Sequence, residues 1–153
     1  MEPEIERKFL LNLCDLPVNI DSLEHVVIEQ GYIFWNETGD ESRLRKSAER
    51  YLLSFKTGSG VSRTETEIEL TRVQFDRLWP MTEGRRLQKT RYFLKDHDHL
   101  IEIDVYAGKA CGLTVAEVEF NNVGDYKSFI PPAWFGREIS QDEAFRNRNL
   151  ATE

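Results

Sequence analysis

The feature that most constrains how this chain can fold is a two-residue period in which charges of one sign recur. Side chains at positions i and i+2 of a β-strand point to the same side of a sheet. Glu4 and Glu6 therefore share one face of a strand, while Ile5 and Phe9 lie on the other. Further same-sign pairs with this spacing follow along the chain: Arg43 and Arg45, Glu65 and Glu67, Lys89 and Arg91, Glu102 and Asp104, and Glu117 and Glu119. The pattern predicts a mainly β protein in which charge is sorted by strand.

This sorting of charge needs a physical explanation. A sheet with one wet face alternates polar and apolar residues by default. Like charges placed side by side on that face are mildly unfavourable, so solvated faces usually mix their signs. Same-sign pairs are tolerable where several such faces converge on a charged ligand. Closing the sheet into a barrel with its polar face inside would produce that convergence and would also remove exposed edges.

Eight segments have strand periodicity, and most of the gaps between them are too short for a crossover helix. The segments span residues 4–11, 25–34, 42–47, 50–57, 62–70, 86–95, 99–107 and 113–120. We therefore predict an eight-stranded antiparallel closed barrel with a few helices. The length favours one domain over residues 1–153.

Two helix starts are predicted from capping-box patterns, in which a hydroxyl residue is followed three positions later by Glu or Gln. Thr71 with Gln74 opens the first of these helices. Ser140 with Glu143 opens the second, which is predicted to run to about Leu150 as a C-terminal helix.

Composition limits the classes of partner. The chain has 27 acidic and 20 basic residues and a net charge of −7, which disfavours nucleic acid and anionic membranes as partners. No apolar run approaches the ~20 residues of a transmembrane helix, and the acidic N-terminus does not resemble a signal peptide. Cys14 and Cys111 lack the spacing of a disulfide framework or a zinc site. We expect a cytoplasmic protein with reduced thiols and no nucleic-acid or membrane partner.

A barrel with its charged face inside would hold a nearly balanced set of charges. The candidate bases of the interior are Lys8, Arg43, Arg45, Lys56, Lys89 and Arg91. The candidate acids are Glu4, Glu6, Glu65, Glu67, Glu102, Asp104, Glu117 and Glu119. One or two divalent cations would reverse the small negative excess. Carboxylates in an oxygen-only site suit Mg²⁺ or Mn²⁺, and the bases suit phosphate oxygens, so the expected ligand is a compact polyanion.

The order of these motifs resembles one known superfamily. Glu4-Ile5-Glu6-Arg7-Lys8 is similar to the Glu-x-Glu-x-Lys signature of the CYTH, or triphosphate tunnel metalloenzyme, proteins. The later motifs fall in the superfamily's order: Gln30-Gly31-Tyr32, Arg43-Leu44-Arg45, Lys56, Arg63-x-Glu65-x-Glu67, Lys89-Thr90-Arg91, Glu102-x-Asp104 and Glu117-Val118-Glu119. The resemblance covers essentially the whole chain, and the compact length is similar to that of the short bacterial members, which are typically inorganic triphosphatases.

The resemblance implies a barrel whose C-terminal helix plugs one end, and the Mg²⁺- or Mn²⁺-dependent hydrolysis of tripolyphosphate to pyrophosphate and phosphate. It implies a metal-binding set of Glu4, Glu6, Glu65, Glu67, Asp104, Glu117 and Glu119. It implies a catalytic set of Glu4, Glu6, Lys8, Lys89 and Glu119. It implies phosphate contacts from Lys8, Arg43, Arg45, Lys56, Lys89, Arg91 and Arg146.

Several alternatives stay open from the sequence. The substrate could be a nucleoside or thiamine triphosphate, the enzyme could be a class IV-type adenylate cyclase, or the barrel could bind polyphosphate without turnover. The intact carboxylate set favours an enzyme, because a pure binder of polyanions needs bases far more than acids. The role of Tyr32, the preferred metal and the oligomeric state, including a homodimer, are not fixed by the sequence.

Overall fold

The computed structural model describes residues 2–58 and 62–152 of the chain. The strands of this part are β1 (Glu2–Leu11), β2 (His25–Trp35), β3 (Glu41–Ser47), β4 (Arg50–Thr57), β5 (Ser62–Leu70), β6 (Arg86–Asp96), β7 (His99–Tyr106), β8 (Thr114–Phe120) and β9 (Phe135–Glu138). The helices are α1 (Arg72–Leu78), α2 (Val123–Ser128) and α3 (Asn147–Leu150).

The first eight strands form a closed antiparallel barrel, which confirms the predicted fold. Their order is β5-β4-β3-β2-β6-β7-β8-β1, and β1 returns to pair with β5. Strand β1 therefore divides one edge between two partners: Glu4 pairs with Arg63 of β5, whereas Phe9 pairs with Glu138 of β9. The ninth strand thus lies outside the closed ring.

The predicted strand limits agree with the structure to within about two residues, but β9 was not predicted. This strand has only four residues, Phe135–Glu138, which is too short for a period to be recognised. It forms because β5 leaves the edge of β1 free beyond Ile5. Its position is further held by Arg7, which donates two hydrogen bonds to Glu138 at 2.9 and 2.7 Å.

One of the two predicted helix starts is correct, and the other is wrong. The capping box at the start of α1 is present, with both Thr71 and Gln74 making the expected reciprocal bonds. The C-terminal helix begins at Asn147 rather than at Ser140, which corrects the predicted start. The reason is that the Ser140 hydroxyl accepts a hydrogen bond from the Lys8 amide and donates one to Glu138. It is therefore committed to the barrel wall and does not cap a helix.

The largest apolar cluster lies outside the barrel wall, and most charged side chains predicted for the site face inward. The outer cluster is covered by residues around α2 and β9, and its members include Ile5, Ile101, Ile103, Val118, Phe120, Phe129 and Phe135. Because the core is outside the wall, the inward faces of the strands are free to carry charge. No helix in the described parts of the chain is both long and apolar enough to cross a membrane.

Candidate active site

The barrel interior contains two connected cavities, of about 470 and about 90 Å³. Both are lined by Glu4, Glu6, Arg43, Lys56 and Asn147, so they form one tunnel with a wide and a narrow part. The wide part is also lined by Arg45, Glu65, Glu67, Arg91, Glu102, Glu117 and Glu119. The narrow part is also lined by Lys8, Tyr32, Glu41, Arg63, Phe145, Arg146 and residues 139–142.

Nearly every residue predicted for the site therefore reaches the tunnel, with two exceptions. Lys89 and Asp104 line neither cavity and are 0% and 1% exposed. The Lys89 ammonium lies 2.7 Å from Asp104 Oδ2 and over the ring of Tyr106. Asp104 also accepts two hydrogen bonds from Arg91, at 2.7 and 2.9 Å. In this structure Lys89 is buried behind the tunnel surface, where it pairs with Asp104. Arg91, two residues further along β6, is the base that faces the tunnel.

Three carboxylates from β1 and β8 meet at one point of the tunnel. Glu4, Glu6 and Glu117 each offer an oxygen, and these oxygens lie within 4.8 Å of one another. The pairing of the two strands produces this proximity, because Glu6 lies opposite Glu119 and Lys8 opposite Glu117. An all-carboxylate donor set of this size fits a hard divalent cation such as Mg²⁺ or Mn²⁺.

The protonation of this carboxylate cluster is shared between neighbours. Burial and the adjacent Glu117 raise the pKa of Glu6 well above its usual range. Burial also disfavours the charged form of Glu117, but a hydrogen bond from Glu6 and the positive charge of Lys8 hold its pKa well below the usual range. Glu6 therefore holds its proton to a higher pH than an ordinary carboxyl does. A metal ion bound by this cluster would compete with that proton.

Lys56 compensates the negative charge of the acidic cluster next to Glu4. Its ammonium lies 3.0 Å from a carboxylate oxygen of Glu4 and 3.3 Å from one of Glu65. Burial raises the pKa of Glu4, but Lys56 and hydrogen bonds from Glu65 and Glu6 outweigh it and lower that pKa to about 2. Glu119 is half-exposed at the rim, and partial burial together with the charges of Glu4 and Glu117 raises its pKa.

The opposite wall carries two cations with no acidic partner. Arg43 and Arg45 project from β3 into the tunnel, and no carboxylate of residues 2–58 or 62–152 lies within ion-pair distance of either guanidinium. Arg43 is 5% exposed, and its Nε has no hydrogen-bond partner in the structure. Arg91 differs, because it forms ion pairs with Glu102, Asp104 and Glu117. The two arginines of β3 therefore present positive charge to the tunnel without a direct ion pair in the described structure.

A buried polar group next to this wall was not assigned a role from the sequence. Gln30 is 0% exposed and accepts hydrogen bonds from Arg45, while Tyr32 accepts one from Gln30. The available signal was the Gln30-Gly31-Tyr32 motif, whose first and third side chains share the inward face of β2. The pattern puts both residues on one face of the strand, but it could not reveal whether that face lies inside the barrel or which cation the two residues contact.

The C-terminal segment covers the narrow end of the tunnel. Residues 139–142 and 145–147 line the small cavity, and Asn147 accepts a hydrogen bond from the buried Tyr106 hydroxyl. Arg146 lines this cavity as predicted, and its guanidinium lies 3.2 Å from Glu143. The tunnel is therefore open at its wide part and enclosed at this end.

Comparison with known proteins gives close relatives over the full chain. The chain is 43% identical over 149 residues to an inorganic triphosphatase of Nitrosomonas europaea, covering 97% of this chain and 96% of that protein. It is 31% identical over 153 residues to an inorganic triphosphatase of Acetivibrio thermocellus, covering 98% and 94%. No model of a protein family matches the chain.

Solved structures with a similar fold include an inorganic triphosphatase. A crystal structure of an inorganic triphosphatase superposes with a TM-score of 0.72 at 40% identity, covering 100% of this chain and 97% of that one. A protein of Pyrococcus horikoshii superposes with a TM-score of 0.64 at 18% identity, covering 81% and 83%. The second likeness concerns the fold alone.

Proposed function

The chain belongs to the CYTH, or triphosphate tunnel metalloenzyme, superfamily and within it to the inorganic triphosphatases, and from that membership we propose that it hydrolyses tripolyphosphate to pyrophosphate and phosphate in its tunnel. Water attacks a terminal phosphorus, the phosphoanhydride P–O bond breaks, and pyrophosphate leaves. The observation that carries the proposal is the division of the tunnel into an unpaired cationic wall and a carboxylate cluster. The first suits binding of the polyanion, and the second suits the reacting end.

Arg43 and Arg45 are proposed as the main phosphate contacts. Both are charged, buried at least in part, and without carboxylate partners in the described structure, so an anion is the group that each lacks. A guanidinium can offer two parallel donors to phosphate oxygens, which a lysine cannot do. Lys8, Lys56, Arg91 and Arg146 are proposed as further contacts along the tunnel.

Glu4, Glu6 and Glu117 are proposed to hold Mg²⁺ or Mn²⁺, with Glu119 at the rim as a further ligand. The support is the convergence of three carboxylate oxygens within 4.8 Å. When bound, such an ion would neutralise charge that develops on phosphate oxygens during transfer. Glu65 and Glu67 line the same part of the tunnel and are proposed to support this site.

The test is phosphate release from tripolyphosphate with Mg²⁺, with Mn²⁺ and with a chelator. Turnover is expected only with a metal ion, and Glu6→Gln is expected to lose at least about a hundredfold in kcat because one ligand charge is gone. Glu29→Gln is the matched control, since Glu29 is exposed on β2 and lies outside both cavities. Full activity in the chelator, or in Glu6→Gln, would contradict the metal proposal while leaving the hydrolase assignment intact.

A further inference from the structure

Gln30 holds the guanidinium of Arg45 through one oxygen that accepts two hydrogen bonds. Its side-chain Oε1 accepts from Arg45 Nε at 3.1 Å and from Arg45 Nη2 at 2.9 Å. The two residues lie directly opposite each other on β2 and β3. A carboxylate commonly holds the same two donors with its two oxygens, in two parallel bonds.

The orientation of the Gln30 amide follows from its two contacts, with Tyr32 and with Arg45. Gln30 Nε2 donates to the Tyr32 hydroxyl at 3.0 Å. Arg45 has only donors, so a flipped amide would place Nε2 donors against Arg45 donors. The hydrogen-bond network therefore allows one orientation, in which the oxygen faces Arg45. Since Gln30 is fully buried, water is not available to replace either contact.

Two other cations of the barrel are held by carboxylates. Arg91 also donates two hydrogen bonds to one side chain, but to the two separate oxygens of Asp104, with Glu102 and Glu117 close by. Lys56 lies against Glu4 and Glu65. Arg45 is thus held by two hydrogen bonds, as Arg91 is, but by a neutral group. The charge of Arg91 is compensated by carboxylates, whereas Gln30 leaves that of Arg45 uncompensated.

We propose that Gln30 is a positioning residue that aims Arg45 into the tunnel while leaving its positive charge free for a substrate phosphate. The inference rests on the proposed function, because it assumes that a phosphate anion is what Arg45 binds. An amide orients the guanidinium without neutralising it. A carboxylate in the same place would compete with the substrate for the same charge and the same donors.

The free charge on Arg45 is maintained against local repulsion. Burial and the nearby charges of Arg43 and Arg91 lower the pKa of Arg45 to about 10, which still leaves it protonated at neutral pH. An incoming phosphate would relieve that repulsion. The arrangement therefore stores an unfavourable interaction in the empty tunnel and favours the anion-bound form.

The deciding variant is Gln30→Glu, which keeps the size of the side chain and an oxygen acceptor for Arg45 and adds a negative charge. It replaces the Nε2 donor by an oxygen to which the Tyr32 hydroxyl can donate. Binding of tripolyphosphate is measured by calorimetry in a chelator, so that turnover does not interfere, and thermal unfolding is measured without ligand. The dissociation constant should rise at least about tenfold, while the unfolding midpoint stays equal or rises. With metal present, KM should rise more than kcat falls. A purely structural glutamine would instead give unchanged affinity, or a loss of affinity that accompanies a lower midpoint.

Gln88→Glu is the matched control, because it makes the same charge change on an exposed residue of β6 outside the tunnel. It should bind tripolyphosphate like the wild type. A loss equal to that of Gln30→Glu would overturn the inference, since net charge would then explain both. If the wild type neither binds tripolyphosphate nor releases phosphate from it with Mg²⁺ or Mn²⁺, the proposed function fails. If the wild type and Gln30→Glu bind equally, only the role of Gln30 fails.

A second variant covers the case in which Gln30→Glu does not fold. Gln30→Met keeps the length of the side chain and removes the acceptor, so Arg45 loses its orientation. The variant should weaken tripolyphosphate binding in the wild-type background and have little effect in an Arg45→Ala background. An equal loss in both backgrounds would mean that Gln30 does not act through Arg45, and would overturn the inference.

Discussion

Asp104 stabilises two buried bases at once, and its removal should be costly. It contacts both Lys89 and Arg91 and is 1% exposed. Removing one partner of a buried ion pair leaves uncompensated charge, which typically costs about 3–5 kcal/mol. Asp104→Asn is therefore expected to lower the free energy of unfolding at neutral pH by about 3 kcal/mol, measured by urea unfolding. Asp98→Asn, in the exposed turn between β6 and β7, is the control and should have little effect.

The pH dependence of this loss follows from the pKa of Asp104. Burial raises that pKa, but Lys89 and Arg91 outweigh burial and lower it to about 2, from an ordinary value of 3.8. A carboxylate with a lowered folded-state pKa stabilises the fold above its unfolded value, and this stabilisation is lost as the pH falls through the folded value. The difference between wild type and Asp104→Asn should be full above about pH 4 and shrink toward pH 2. A difference that is constant across this window would contradict the assignment.

At the scale of residues, the two-residue period was enough to predict which charges face inward. It could not predict which cations are neutralised, because that depends on the neighbouring strand. Arg45 and Arg91 have the same sequence context, a base two positions after another base. Arg91 lies opposite Asp104 of β7 and Arg45 opposite Gln30 of β2. The register between strands, which the sequence does not give, separates their roles.

At the scale of elements, β2 approaches the segment after α1 so closely that only glycine fits at position 31. A Cβ added to Gly31 would lie 2.5 Å from Cβ of Thr82, which is fully buried. Thr82 cannot easily move, since its hydroxyl donates to the Trp79 carbonyl and accepts from Arg86. Gly31→Ala should therefore cost about 1–3 kcal/mol of stability, measured by urea unfolding.

The clash can be tested by relieving it from the other side. Thr82→Gly removes the atoms that a new Cβ would meet, although it loses the hydroxyl bonds as well. The double variant should lose less unfolding free energy than the two single variants lose together, with a favourable coupling of about 1 kcal/mol or more. Strict additivity would mean that the cost of Gly31→Ala comes from the strand itself and not from its contact with Thr82.

The strands were predictable and the C-terminal segment was not, for one physical reason. A strand of seven or more residues shows its period within its own sequence. The segment after Pro132 is set by contacts with β1, where Ser140 bonds to Lys8 and β9 pairs with the edge that β5 leaves. The capping-box pattern at Ser140 was a local signal that this non-local contact overrides.

At the scale of the whole molecule, the shape of the tunnel limits the substrate. Its narrow end is covered by residues 139–147, and its wide part is lined by charged and small polar side chains. No aromatic side chain among the described residues lines the wide part. A nucleobase would have to remain at the mouth without a ring to stack on, whereas three linked phosphates can reach both the β3 arginines and the carboxylate cluster.

We therefore expect tripolyphosphate to be preferred over ATP. Stacking of a base on an aromatic side chain typically contributes about 1–3 kcal/mol to binding. The described lining of the wide part of the tunnel offers no such contact, so the bulky nucleoside of ATP gains no compensating interaction. The ratio of kcat/KM for tripolyphosphate to that for ATP should be at least about ten, measured at equal free Mg²⁺ because both substrates chelate the ion. Pyrophosphate should bind weakly as a product, since it offers two phosphates rather than three to the arginine wall and the carboxylate cluster. A ratio near or below one would contradict the inorganic substrate and favour a nucleoside triphosphate. In that case the tunnel mouth would have to bind the nucleoside, although its described lining offers no aromatic side chain for this.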